Sequence, residues 1–250
     1  MSLNATAINQ PKDAWFESWF DSPYYHILYK DRDDADAQLF MDNITQYLNL
    51  PDNAKILDLA CGKGRHSKYL NELGYDVTGA DLSENSIAEA KVSENETLHF
   101  TVHDMRIPFA EKFDAVFNLF TSFGYFENDA DNLKTLLAIK KNLSEYGFAV
   151  IDFMNVDFVI KNLIAHENKV IDGIDFKIRR HFSDGYIYKE INFVDNGKAF
   201  HFTEKVKALQ LSDFENLMNE ADIYLLDIFG DYKLKKFFKA ESERLIMIFK

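Results

Sequence analysis

Between residues 53 and 155 the chain alternates two textures. Short, nearly continuous apolar runs are followed by segments whose apolar positions recur every three or four residues. "AKILDLA", "YDVTGAD", "LHFTVHD", "FDAVFNLF" and "GFAVIDFMN" read as strands. "FDAVFNLF" is apolar almost throughout, as expected of a strand buried on both faces. "GRHSKYLNELG", "SENSIAEAKVSE" and "DADNLKTLLAIKKNLS" read as helices between them, with Ser83 placed to cap the second and Gly74 to close the first. Upstream, Ala37, Phe40, Met41, Ile44, Tyr47 and Leu48 predict an amphipathic helix over 33–50. Strands alternating with helices imply right-handed crossovers and a parallel sheet.

After residue 165 the period changes from helical to alternating. The segment contains no helical pattern, and "SDG" and "DNG" interrupt it. Asp-Gly and Asn-Gly favour the tight turns that join antiparallel strands. The spacing predicts three such strands, roughly 169–182, 186–195 and 199–209. A helix over 212–221 and strands over 223–229 and 243–249 then resume the first texture. The hairpins are therefore an insert at about 167–209. The expected organisation is an N-terminal helical cover, 1–50, followed by one α/β domain, 51–250. The fold class is a Rossmann-like, seven-stranded, mostly parallel sheet with helices on both faces and an inserted antiparallel segment.

Composition narrows the function classes. The chain has 250 residues, 28% of them charged and 47% apolar, which is globular composition. No apolar run approaches the roughly 20 residues that cross a bilayer. The polar start, "MSLNATAINQPKDAW", lacks the apolar core of a signal peptide, and Cys61 has no second cysteine to pair with. The expected compartment is the cytoplasm. A net charge of −13 argues against a phosphate backbone as partner, although "KLKKFFK" (Lys233 to Lys239) is locally basic. Neither a metal-ligand spacing nor a Gly-x-Ser-x-Gly elbow is present.

The chemistry concentrates where strands end. In an open parallel sheet, ligands bind beyond the carboxyl ends of the strands. "KILDLACGKGRHSKYL" places Asp58 at such an end, followed by a turn with Gly62 and Gly64 that lets a ligand approach the backbone. The next strand ends in Asp81, placed to accept ribose hydroxyls, and the third in Asp104 with Met105 beside it. Asp104 is placed to accept an exocyclic amine, and Met105 offers an apolar face to a flat base. Asp58 beside the glycine turn disfavours a pyrophosphate and suits a cationic ligand.

These residues resemble the class I S-adenosylmethionine-dependent methyltransferases. "DLACGKG" is similar to that family's acid-x-Gly-x-Gly-x-Gly loop, with Ala60 at the first glycine position. "GADLS" resembles its ribose-binding segment, "HDMR" its adenine-binding segment, and "FDAVFNLFTSFGYF" its fourth segment. The resemblance spans about 53–155 by motif and 212–250 by strand pattern. It implies S-adenosylmethionine as cofactor, held by Asp58, Ala60, Gly62, Gly64, Arg65, Asp81, Leu82, Asp104, Met105 and Asn118. In related small-molecule enzymes N-terminal helices fold over the cofactor. Tyr24, Tyr25 and Tyr29 are candidate cover residues, and Tyr29 and Arg32 candidate cofactor contacts.

Expected acceptor contacts are Tyr25, Phe123, Tyr125 and Asn155, from the cover, the loop after the fourth strand and the end of the fifth. His66, His103, His181 and His201 are default structural histidines, and no catalytic residue stands out. "NLFTSF" lacks the prolines that accompany methylation of nucleic-acid bases, so an N or O atom of a small molecule is the expected acceptor. A homodimer is possible from the insert's strands. Two other functions share this sequence logic: a nicotinamide-dependent oxidoreductase, and a non-catalytic protein that binds S-adenosylmethionine.

Overall fold

A computed structural model describes residues 19–30 and 34–250 of the chain. Seven strands form the main sheet: β1 (Lys55–Leu59), β2 (Asp76–Asp81), β3 (Leu98–Val102), β4 (Phe113–Asn118), β5 (Leu143–Met154), β10 (Leu225–Phe229) and β11 (Arg244–Phe249). Their order is β10-β11-β5-β4-β1-β2-β3. β1 to β5 pair in parallel, and β11 runs antiparallel between β5 and β10. Strand order reverses between β1 and β4, which opens a crevice at the carboxyl ends there.

Apolar faces on both sides of this sheet explain its burial. One side packs under α5 (Asp129–Asn142) and α7 (Leu211–Glu220), with Leu136, Ile139, Phe214 and Met218 meeting Val116, Ile151 and Met247. The other packs under α2 (Asp34–Leu48), α3 (Arg65–Glu72) and α4 (Glu84–Ala90), with Phe40, Met41, Ile44, Leu70 and Ile87 meeting Ile56, Val77 and Ile248. The expected helix over 33–50 therefore belongs to the core of the sheet and not to a cover. The Ser83 hydroxyl caps α4 by accepting from the Ser86 N–H at 2.9 Å. A short helix α6 (Val156–Lys161) after β5 was not anticipated from the sequence.

The insert has four strands where three were expected: β6 (His166–Ile171), β7 (Ile174–Ser183), β8 (Tyr186–Asp195) and β9 (Lys198–Lys207), paired antiparallel in that order. All three connections are two-residue turns, Asp172-Gly173, Asp184-Gly185 and Asn196-Gly197. All six residues have positive φ, between 48° and 81°, which matches the twist of tight hairpins. The first of these turns lies inside the stretch read as one strand, because the alternation of Val170, Ile174, Phe176 and Ile178 continues across it.

One face of this second sheet is covered by the aromatic segment before α2. Trp19 and Leu28 are buried against Ile174, Phe176, Ile178, Ile191 and Phe193. The segment contains α1 (Pro23–Leu28), capped by Ser22. Tyr24 reinforces the contact by donating its hydroxyl to Asp195 at 2.9 Å.

Candidate active site

The turn after β1 begins with strain. Ala60 has φ +63°, in the left-handed region that glycine adopts at little cost, and its N–H donates to Ala80 O at 2.7 Å. The family-like loop thus places a non-glycine residue where the backbone wants a glycine. Gly62 (φ +56°) has nothing within 4 Å of where a Cβ would stand, so its backbone faces open space. Gly64 serves a different purpose: a Cβ there would lie 2.3 Å from the Phe100 ring, so its absence lets α3 seat against β3.

The three strand-end acids differ in their partners. Asp58 is 2% exposed and accepts the Ser67 hydroxyl at 2.6 Å. Burial pushes its carboxyl up to about 6, against the Ser67 bond and with some help from Asp81. Asp81 accepts the Gly62 N–H on Oδ2 at 2.8 Å and the Ser83 N–H on Oδ1 at 2.9 Å. Burial raises it too, against those backbone bonds. Asp104 sits under Arg106, whose Nη2 donates to Oδ2 at 2.6 Å and whose Nη1 reaches Asp131 at 3.0 Å. Burial alone would raise Asp104, but the Arg106 bonds and charge outweigh it and hold the carboxyl below its ordinary value.

All three carboxylates line one cavity of about 1290 Å³ at the carboxyl end of the sheet. Ala60, Gly62, Arg65, Leu82 and Met105 line it as well. Ligand pockets typically measure roughly 300–1,000 Å³, so this one has room for two small molecules. Its far wall is built from three elements. α1 and its flanks bring Phe20, Tyr25, His26, Tyr29 and Lys30; the loop after β4 brings Phe120, Thr121, Ser122, Tyr125 and Phe126; β9 brings Glu204. The expected cover residues Tyr25 and Tyr29 and the expected acceptor contact Tyr125 therefore reach the cavity. Burial, then Lys63, lowers the pKa of His26.

Other expected residues lie elsewhere. Phe123 is fully buried and packs on Phe214, so it does not touch the cavity. Asn155 is buried at the end of β5, where its amide donates to Lys239 O at 2.9 Å and Ser242 O at 2.6 Å. It borders a separate, smaller pocket near Gln210. Asn118 is fully buried beside the cavity-lining Leu119, donating to Leu59 O at 3.1 Å, and its Oδ1 has no hydrogen-bond partner among the described residues. Tyr24 faces Asp195 and the insert. His66 and His103 line the cavity, whereas His181 stacks on Tyr188 and His201 bonds Asn192. Arg32 lies outside the described residues.

Two features were not anticipated. Arg244 on β11 pairs with the fully buried Asp152 on β5 at 2.8 Å and donates to Thr121 Oγ1 at 2.9 Å. Asp152 also accepts the Phe120 N–H at 2.8 Å, so this pair fixes the loop after β4, where Phe120 and Thr121 have φ +57° and +62°. The second is Glu204, whose Oε1 accepts both Trp19 Nε1–H at 2.8 Å and the Tyr29 hydroxyl at 2.6 Å.

The donor set suits a nucleoside that carries a cation. Open backbone at Gly62 and two buried carboxylates held only by neutral donors favour an ammonium and hydroxyls over a pyrophosphate. Comparison with known proteins agrees. Residues 56–147 match the family described as "Methyltransferase domain". The chain is 28% identical over 218 residues to a putative methyltransferase, YqeM, of Bacillus subtilis (strain 168), covering 80% of this chain and 88% of that one. It is 29% identical over 188 residues to a glycine/sarcosine N-methyltransferase of Parasynechococcus marenigrum (strain WH8102), covering 71% and 66%. A solved S-adenosylmethionine-dependent methyltransferase from Clostridium acetobutylicum ATCC 824 shares the fold, with a TM-score of 0.77 at 23% identity over 91% of this chain and 95% of that one. The nicotinamide reading suggested by the strand-turn-helix pattern is set aside on these grounds. The chain is thus similar to the S-adenosylmethionine-dependent methyltransferases, by a family match over residues 56–147 and by the fold of nearly the whole chain.

Proposed function

We propose that this protein transfers a methyl group from S-adenosylmethionine to a nitrogen atom of a small organic molecule. The observation that carries the reading is the meeting of Asp58, Asp81 and Asp104, from three adjacent strands, in one cavity whose opposite wall is aromatic. Asp58 suits the ammonium of the cofactor's amino-acid end, and Asp81 the ribose hydroxyls. Asp104 and Met105 flank the place for the adenine. A nitrogen acceptor is favoured because a curated relative is a glycine/sarcosine N-methyltransferase.

When bound, the cofactor supplies a methyl carbon already activated by a positive sulfur. The chain's own task is to align the acceptor with that carbon and to keep water out. Phe20, Tyr25 and Tyr125 wall off the cavity on the acceptor side. The Asp152–Arg244 pair holds the loop carrying Thr121 and Ser122 rigid beside them. No general base is required if the acceptor arrives as a neutral amine.

The test is incubation with radiolabelled S-adenosylmethionine and a panel of primary and secondary amines, alcohols and carboxylates. Label transfer to one or more amines supports the reading. Transfer to alcohols or carboxylates alone contradicts the nitrogen assignment, and tight cofactor binding without transfer to any acceptor favours a non-catalytic binder.

A further inference from the structure

The wall opposite the strand-end acids has a chemical character of its own. Phe20 meets Tyr25 at 5.0 Å and 77°, and Tyr125 at 5.5 Å and 84°, so its ring stands nearly perpendicular to both and joins them into one aromatic corner. Tyr25 in turn lies 4.9 Å from Tyr29. The Tyr29 hydroxyl donates to Glu204 Oε1. All five residues line the cavity. Ring faces carry negative quadrupoles, and aromatic rings lining one cavity together with a carboxylate form an environment that favours an organic cation.

Glu204 is held for such a role. Trp19 and Tyr29 both donate to its Oε1. Oε2 forms an ion pair with Lys189 Nζ at 3.7 Å. Lys189 Nζ lies over the Tyr29 ring, 4.3 Å from its centroid, donates to the Tyr29 hydroxyl, and does not line the cavity. The inner face of the insert changes character at this row. It is apolar through Ile178, Ile191 and Phe202, and charged at the neighbouring Arg180, Lys189 and Glu204. Glu204 therefore borders the cavity while anchored through both oxygens, Oε1 by Trp19 and Tyr29 and Oε2 by the ion pair with Lys189.

Resting on the reading above, we propose that Glu204 and the aromatic corner of Phe20, Tyr25 and Tyr125 form the acceptor subsite, and that the acceptor is a small aliphatic amine bound by its ammonium group. Oε2 accepts an N–H and takes that proton, which frees the nitrogen lone pair for methyl transfer, and the rings take the alkyl groups on nitrogen. The methylated product, again a cation while it keeps an N–H, fits the same corner, and once Oε2 has passed its proton to solvent and taken that N–H proton, the same nitrogen can be methylated again.

Calorimetry on protein saturated with adenosylhomocysteine tests this. The probes are protonated N,N-dimethylaminoethanol and its uncharged carbon isostere, 3-methylbutan-1-ol. The amine is expected to bind about tenfold more tightly. Glu204→Gln abolishes most of that preference and leaves adenosylhomocysteine affinity within about twofold. Tyr125→Leu leaves the Glu204 hydrogen bonds in place and weakens the amine several-fold more than the isostere. Equal binding of the two probes, no binding of the amine, or an unchanged preference in both variants overturns the subsite. Failure of adenosylhomocysteine itself to bind overturns the cofactor reading, and the subsite with it.

Discussion

Ser67, on the first turns of α3, donates its hydroxyl to Asp58 at 2.6 Å, the single hydrogen bond that Asp58 accepts from a side chain among the described residues. This carboxylate is buried at the end of β1 with its pKa pushed up to about 6, so its charge is sustained narrowly at neutral pH. Removing the donor in Ser67→Ala raises the pKa further. Cofactor affinity at pH 7 is expected to fall several-fold and to recover as pH rises toward 8.5. Titrations of adenosylhomocysteine across that range read this directly, and a pH-independent loss would contradict the role given to Asp58.

The same group makes stability and binding pull in opposite directions. Between the ordinary value of 3.8 and about 6, folded Asp58 keeps a proton that the unfolded chain has released. Stability from this group is therefore full below pH 3.8 and is lost as pH rises through about 6. Asp58→Asn carries no charge to bury, so it is expected to be more stable than wild type at pH 7.5, by on the order of 2–3 kcal/mol. The difference shrinks toward pH 4, while cofactor binding is impaired throughout. Urea denaturation at the two pH values measures it.

Ala60, Gly62 and Gly64 should respond differently to substitution although they share one turn. Ala60→Gly relieves a left-handed alanine but gains chain entropy when unfolded, so it is expected within about 1 kcal/mol of wild type. Gly62→Ala adds a methyl in open space at strained φ, costing about 1–2 kcal/mol and lowering cofactor affinity. Gly64→Ala drives a methyl to 2.3 Å from Phe100 and is expected to cost about 2–4 kcal/mol, more than either. Denaturation midpoints rank the three, and equal costs at 62 and 64 would contradict the packing role of Gly64.

The buried pair of Asp152 and Arg244 predicts a loop defect. Arg244→Met leaves a buried carboxylate with only the Phe120 N–H at 2.8 Å and the Tyr232 hydroxyl at 3.4 Å, and is expected to cost about 3–5 kcal/mol. Arg244→Lys keeps the charge but cannot bond Asp152 and Thr121 together, so it recovers only part. The accompanying change should be a raised KM for the acceptor with cofactor affinity preserved, because Thr121 sits on the acceptor side of the cavity.

What was legible in the sequence was local. Apolar runs ending in Asp58, Asp81 and Asp104 announced strands, and strand ends in a parallel sheet converge by geometry. Asp-Gly and Asn-Gly turns announced the insert, though the turn at Asp172 was hidden by an alternation that continued through it. Glu204 was not legible, because a single acid in an alternating strand carries no signal and its partners Trp19 and Tyr29 lie 185 and 175 residues away. The same separation hid Arg244 from Asp152, 92 residues apart. Phe123 and Asn155 were misplaced because proximity to a strand end does not tell which way a side chain turns. Phe123 turns into the core, and Asn155 turns to bond Lys239 and Ser242.

The central claim is that carboxylates at the ends of β1 and β2 grip one cationic nucleoside. Isothermal titration of adenosylhomocysteine into wild type and Asp81→Asn tests it most directly. One-to-one binding by wild type, weakened about tenfold to a hundredfold by the substitution in a protein with an unchanged melting profile, is the predicted result. Absence of binding by folded wild type, or equal affinity in the two proteins, would contradict the account.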